Sequence, residues 1–283
     1  MDTYTRSTVV VDGISTSYLT AGEGQPVLLL HGGEFGGGAE ICWESSIGPL
    51  AEHYRVIAPD LLGFGRTDKI VDFLDGRGRR IAHLARFCAT LGLHDFAVIG
   101  NSMGGMLALA DAGSRRSRLP ARALVSIAGG GKLESSPHTD ALFDYDGSLD
   151  GMRAIVAALF HGDRWPADDD YVARRHRLSI EPGAWEAIAA ARFRRPAAEG
   201  RPAPGIGYRE IGVPTLVVAG AEDKLKPTGW TDELTTQIPV SRAARIADAG
   251  HCPQIEQPEP TVAVLLEFLS GQFGRQSLRE YAS

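Results

Sequence analysis

Ser102 lies in Gly100-Asn101-Ser102-Met103-Gly104-Gly105, directly after an apolar run at residues 96–99. A serine flanked by glycine two positions either side suits a sharp turn from a buried strand into a helix. A β-carbon at Gly100 or Gly104 would strike neighbouring backbone there. The turn lifts the hydroxyl out of the sheet and aims the Met103 N–H at any oxyanion that forms. A serine hydroxyl is a weak nucleophile until a base takes its proton, and the base needs a third group to orient it. His251, in Ala249-Gly250-His251-Cys252-Pro253, and Asp223, in Gly220-Ala221-Glu222-Asp223-Lys224, suit those roles. Alone, Asp223 also reads as a helix cap and His251 as a packed core histidine. Serine, acid and histidine in that order at successive strand ends make a set, with Glu222 as the reserve acid. Gly33, in His31-Gly32-Gly33 after the apolar run 27–30, is the second candidate oxyanion donor. His31 reads as a loop-structuring residue. The chemistry these residues could do is acyl transfer to water through a serine ester.

The elements that must position them are short apolar runs at 27–30, 56–58, 96–99, 123–127 and 215–219, with a weaker one at 244–246. Runs apolar on both faces belong to a sheet covered on both sides, hence a parallel one. Residues 8–14 and 16–19 read as a hairpin turning at Asp12-Gly13. Helical periodicity fills 80–91, 103–112 and the stretch from Val262 to Leu269. The fold class is therefore α/β, a doubly wound and mostly parallel sheet. One region breaks the alternation. Residues 132–208 carry helical patches at 151–160 and 184–193 but no convincing strand, and read as a helical cap inserted between sheet strands. Pro196 to Gly205 reads as its return linker. The expected division is a core of 1–131 and 209–283 and a cap of 132–208. Trp165, Trp185 and Phe193 are candidate cap-side walls.

With 283 residues, 43% hydrophobic and a net charge of −6, the chain has no basic face for nucleic acid or an anionic lipid surface. No apolar run reaches the roughly 18 residues of a membrane span, and the first residues lack a signal-peptide pattern. Cys42, Cys88 and Cys252 suit neither a disulfide framework nor a zinc site. The expectation is a cytoplasmic protein without metal or cofactor, acting on a small molecule, with homodimer assembly left open.

From end to end the chain resembles the α/β-hydrolase superfamily. The resemblance rests on His31-Gly32-Gly33, Trp43, Ala58-Pro59-Asp60-Leu61-Leu62-Gly63-Phe64-Gly65-Arg66, the serine turn, Gly220 to Asp223 and Gly250-His251. Within it the chain is similar to the meta-cleavage-product hydrolases, which cut a carbon–carbon bond in vinylogous diketo acids. Asn101 and Met103 beside the serine, Arg174-Arg175-His176-Arg177 ahead of Glu181-Pro182-Gly183, and residues 254–259 carry that likeness. It implies that a cap arginine, Arg175 by its offset to Pro182 and otherwise Arg174, binds a substrate carboxylate or dienolate. It also implies that Asn101 and Gly32 line the substrate. A solvated basic helix face and an asparagine bonded to backbone are the competing readings. Two positions depart from the pattern: Cys252 stands where the family has tryptophan, and Glu34-Phe35-Gly36-Gly37-Gly38 replaces a Gly-Pro-Gly loop. An esterase or lactonase is the near alternative, and a ligand-binding protein without turnover the distant one. Dehalogenase and epoxide-hydrolase chemistry need an aspartate at position 102.

Overall fold

The computed structural model describes residues 3–190 and 205–273. Its strands are β1 (Thr5–Val11), β2 (Ile14–Ala21), β3 (Pro26–Leu30), β4 (Arg55–Pro59), β5 (Phe96–Asn101), β6 (Ala121–Ile127), β7 (Thr215–Gly220) and β8 (Ser241–Ile246). They form one sheet in the order β1-β2-β4-β3-β5-β6-β7-β8. β2 runs antiparallel to β1 and β4, and the other neighbours are parallel. The β1–β2 hairpin turns at Asp12 and Gly13 with φ of 49° and 83°, the two left-handed residues of a type I′ turn. The chain goes outward from β3 to β4, then returns past β3 to β5. At such a reversal the loops leaving the carboxyl ends part and open a crevice.

Helices cover both faces. They are α1 (Ala39–Ala51), α2 (Gly76–Thr90), α3 (Met103–Ala112), α4 (Pro137–Phe143), α5 (Leu149–Leu159), α6 (Arg164–Ala167), α7 (Asp169–Ser179), α8 (Ala184–Ala190), α9 (Trp230–Gln237), α10 (Pro253–Glu256) and α11 (Pro258–Phe273). Strand β5 explains the uniform apolar runs. Phe96 and Val98 pack with Leu84, Phe87 and Leu107 of α2 and α3. Ala97 and Ile99 pack with Trp43, Ile47, Leu265 and Phe268 of α1 and α11. Both faces of the pleat are dry.

Helix α1 has no counterpart in the sequence reading. It contains Gly48 and Pro49 and buries Ala39, Ile41, Cys42, Trp43, Ser46, Ile47 and Leu50, so no clean polar stripe marks it. Between β6 and β7 the described chain is helical, α4 to α8, with α5 packed against α4, α6 and α7. The linker expected from Pro196 lies, as far as Pro204, outside the described residues, as does Phe193. Among the described residues no helix is long and apolar enough to cross a membrane.

Candidate active site

Ser102 sits between β5 and α3 at φ 49° and ψ −111°. A left-handed non-glycine residue costs on the order of 1–3 kcal/mol, which the surroundings must impose. They do so by contact. A β-carbon on Gly100 would lie 2.3 Å from the Gly104 carbonyl carbon, and one on Gly104 would lie 2.3 Å from the Leu30 oxygen. The Ser102 N–H donates to Ile127 O at 2.8 Å, and Met106 N–H donates to Ser102 O at 2.9 Å.

The loops after β7 and β8 bring the partners. His251 Nε2 lies 2.9 Å from Ser102 Oγ, and Nδ1 lies 2.8 Å from Asp223 Oδ2. A carboxylate facing Nδ1 holds the proton there and leaves Nε2 free to accept the one from the hydroxyl. Burial pushes the Asp223 carboxyl upward, yet His251, the Leu225 N–H and the Lys226 ammonium together hold it below the usual carboxylate range. Glu222 is exposed, so the acid in contact is Asp223. The two loops meet too closely for a side chain at Gly220, whose β-carbon would lie 1.9 Å from Gly250 O.

Gly33 and Met103 line the same cavity as Ser102 and His251, a space of about 630 Å³. They are in contact: a β-carbon on Gly33 would lie 2.8 Å from Met103 Sδ. Leu133, Leu142, Phe143, Leu159 and Ile206 supply its apolar walls. Trp165 stacks on Phe160, and Trp185 packs on Phe35, so both lie among neighbouring aromatics and not along that lining. His31 accepts from Leu61 N–H at Nε2 and therefore donates from Nδ1 to Gly32 O, which stiffens the loop.

The remaining expectations fare differently. Arg174 lies outside the cavity, in a bidentate ion pair with Glu44 at 2.7 Å through both nitrogens and about one-third exposed. Its helix position turns it toward α1. Asn101 Nδ2 donates to Ile127 O and His251 O, so it braces the serine and histidine loops. Gly32 lies under Glu34 and Asn101, its virtual β-carbon 2.3 Å from Glu34 Oε2. Arg175 is fully buried and paired with Glu34 at 2.5 Å, while its Nε and Nη1 have no partner. Burial alone would raise the Glu34 carboxyl, and the Arg175 guanidinium overrides it and keeps the acid ionised. Cys252 is buried, and burial pushes its thiol well above the ordinary range, which excludes a resting thiolate.

Three residues escaped sequence reasoning. Glu34 lines the cavity and was visible only as a departure in a glycine-rich loop. Lys226 also lines it, three positions beyond Asp223. Glu256 accepts from Gly250 N–H at 2.6 Å and from His161 N–H at 2.5 Å, joining the histidine loop to the segment after α5. That junction is reinforced by His251 N–H donating to Leu159 O at 2.7 Å and by Lys224 Nζ on Ala157 O and Phe160 O. No local sequence signal marks a contact that spans so many residues.

Parallel strands that end on a strained serine, with histidine and aspartate in line behind it, are the layout of an α/β serine hydrolase. Comparison with known proteins agrees. The alpha/beta hydrolase family model matches residues 27–264. The 2-hydroxy-6-oxo-6-(2'-aminophenyl)hexa-2,4-dienoic acid hydrolase of Metapseudomonas resinovorans is 35% identical over 276 residues, 94% of this chain and 91% of its own. The 2-hydroxy-6-oxo-2,4-heptadienoate hydrolase of Pseudomonas putida is 32% identical over 93% of this chain and 96% of its own. A solved serine hydrolase involved in carbazole degradation superposes with a TM-score of 0.81 at 34% identity, covering 94% of this chain and 99% of that one. The chain belongs to the α/β hydrolase family and, within it, to the meta-cleavage-product hydrolases.

Proposed function

We propose that the protein hydrolyses a carbon–carbon bond next to the ketone of a vinylogous diketo acid, through an ester formed on Ser102. The hydrogen-bonded line Asp223–His251–Ser102 at 2.8 and 2.9 Å, opening on an apolar cavity, carries this reading. His251 first assists ketonisation of the dienol, then takes the Ser102 proton as Oγ adds to the distal carbonyl. The Gly33 and Met103 N–H groups receive the oxyanion, where each donor is worth roughly 3 kcal/mol of barrier. When the bond breaks, His251 returns its proton to the departing carbon. Water, deprotonated by His251, then frees the acyl group and restores Ser102. The described part of residues 132–208 serves as a cap over the cavity, contributing Leu133, Leu142, Phe143, Leu159 and Ile206 to its lining. The setting we propose is cytoplasmic, consistent with the three buried, unpaired cysteines.

One observation favours a second reading, ester or lactone hydrolysis. Glu34 already occupies a position on Arg175 that an incoming carboxylate would want. A spectrophotometric assay separates the two: loss of the yellow dienol absorbance against release of 4-nitrophenol from its acetate. Ser102→Ala should lower kcat for the true substrate by about 10⁶-fold with the thermal midpoint unchanged. A variant that keeps wild-type turnover would end the nucleophile assignment.

A further inference from the structure

The cavity beside Ser102 is walled by hydrophobic side chains, yet Lys226 lines it and Arg77 lines it too. Lys226 is only 7% exposed. Its Nζ donates to Gly130 O at 2.5 Å and lies 4.8 Å from the Trp230 ring centre. Among the described residues no carboxylate lies within ion-pairing distance of it. An ammonium carries three N–H donors, and one carbonyl plus an aromatic face leave its charge largely uncompensated. Burial opposes the charge and lowers its pKa to about 8, with Asp223 acting the other way. Asp223 has its own hydrogen-bond partners in His251 and Leu225 N–H, and Lys226 acts on it only through space. A residue whose only task was to hold Gly130 O need carry no charge. Arg175, the buried cation on the other side of the loop after β3, shows the usual remedy, a carboxylate of the chain itself.

We propose that Lys226 is a specificity-determining residue whose ammonium receives an anionic group, a carboxylate in the first instance, carried on the substrate's acyl portion. The substrate class is then an oxo-diacid or a half-ester of a dicarboxylic acid, not one that ends in an alkyl or phenyl group. At a side chain as buried as Lys226, such a pair is stronger than at a surface. A neutral isostere of the same length leaves the ammonium unmatched, and the penalty for an unpaired buried charge becomes discrimination. This deepens the reading of the cavity as the acyl-transfer site and rests on it.

Two measurements keep the proposal and that reading apart. The first is the ratio of kcat/KM for 4-nitrophenyl hydrogen glutarate over 4-nitrophenyl valerate. We expect at least about tenfold in favour of the anion, a ratio near one in Lys226→Met, and recovery in Lys226→Arg. The second is calorimetric binding of monomethyl glutarate and methyl valerate to Ser102→Ala protein, which needs no turnover. The anion should bind at least about tenfold tighter, and Lys226→Met in the same background should remove the difference. Turnover of both esters without preference by the wild-type protein overturns the assignment of Lys226, whether or not the methionine variant folds. Preferential binding of the anion without turnover of any ester or dienol acid overturns the acyl-transfer reading and leaves Lys226 standing.

Discussion

Around Ser102 the buried carboxylate of Asp223 meets the His251 ring at 2.8 Å and the Leu225 N–H at 2.9 Å. At the Arg175–Glu34 pair the carboxylate is met at 2.5 Å, but Arg175 Nε and Nη1 find nothing. Tyr171 OH and Gln254 Oε1 are buried without partners as well, and the Arg175 guanidinium lies 5.8 Å from the Tyr171 ring centre. The Ser102–His251–Asp223 line is assembled from three loops at the carboxyl ends of β5, β7 and β8, strands whose register the ladders through β6 fix. The second cluster joins α7 to the loop after β3, two pieces of chain that no ladder aligns. The Asp223 charge at the strand ends is fully matched, and the charge of the Arg175–Glu34 pair, held between a helix and a loop, is matched in part.

The largest test of the contrast removes the matched charge. Asp223→Asn keeps the shape but lets the His251 ring carry its proton on the wrong nitrogen, and kcat should fall about 10⁴-fold. Steady-state kinetics on a carboxyl-bearing ester and a neutral one should show equal losses, since the step affected is common to both. A loss confined to one substrate would place Asp223 in binding instead.

The partly matched pair should show itself in stability. Arg175→Met leaves the buried Glu34 carboxyl without its cation, and breaking such a pair from one side costs about 3–5 kcal/mol. Replacing both, Arg175→Met with Glu34→Leu, removes the orphaned charge together with the unpartnered N–H groups, and should recover most of that loss. Urea midpoints of the wild type, both single variants and the double variant close the cycle. Additive losses would mean that the pair is not coupled.

The same contrast governs how much could be read from residues alone. Strands β3 to β7 announced themselves because both faces are buried, and with them came Ser102 and Asp223 at the ends of β5 and β7; His251 follows β8, whose burial is partial and whose apolar run is weaker. The turn at Ser102 was legible because only glycine fits at positions 100 and 104. Helix α1 was missed since its burial wraps most of the way round, leaving no stripe. Arg175 was picked out, but its partner was not: nothing local tells Glu34 that an arginine of α7 will reach it. Arg174 has the same composition and neighbours as Arg175, and only the helix phase sends it to Glu44 at the surface. Lys226 and Glu256 belong to that class too, polar residues whose meaning lies in what packs against them.

The smallest effect tests the junction between the histidine loop and the segment after α5. Glu256 accepts from Gly250 N–H, next to His251, and from His161 N–H, just past α5. Burial raises its carboxyl from the ordinary 4.5 to about 7, with the two N–H groups and Lys224 acting against the rise. The folded protein therefore holds a proton that the unfolded chain has lost between those values. Stability linked to this group is present below pH 4.5, declines as pH rises toward 7, and is level beyond. Glu256→Gln cannot titrate, so the decline between about pH 5 and 7 should flatten; its single amide oxygen keeps one of the two N–H bonds, and the loss of the other lowers stability alike at every pH. Urea unfolding at several pH values across that window measures the slope. An unchanged slope in the glutamine variant would assign the titration elsewhere and leave Glu256 a plain backbone clamp.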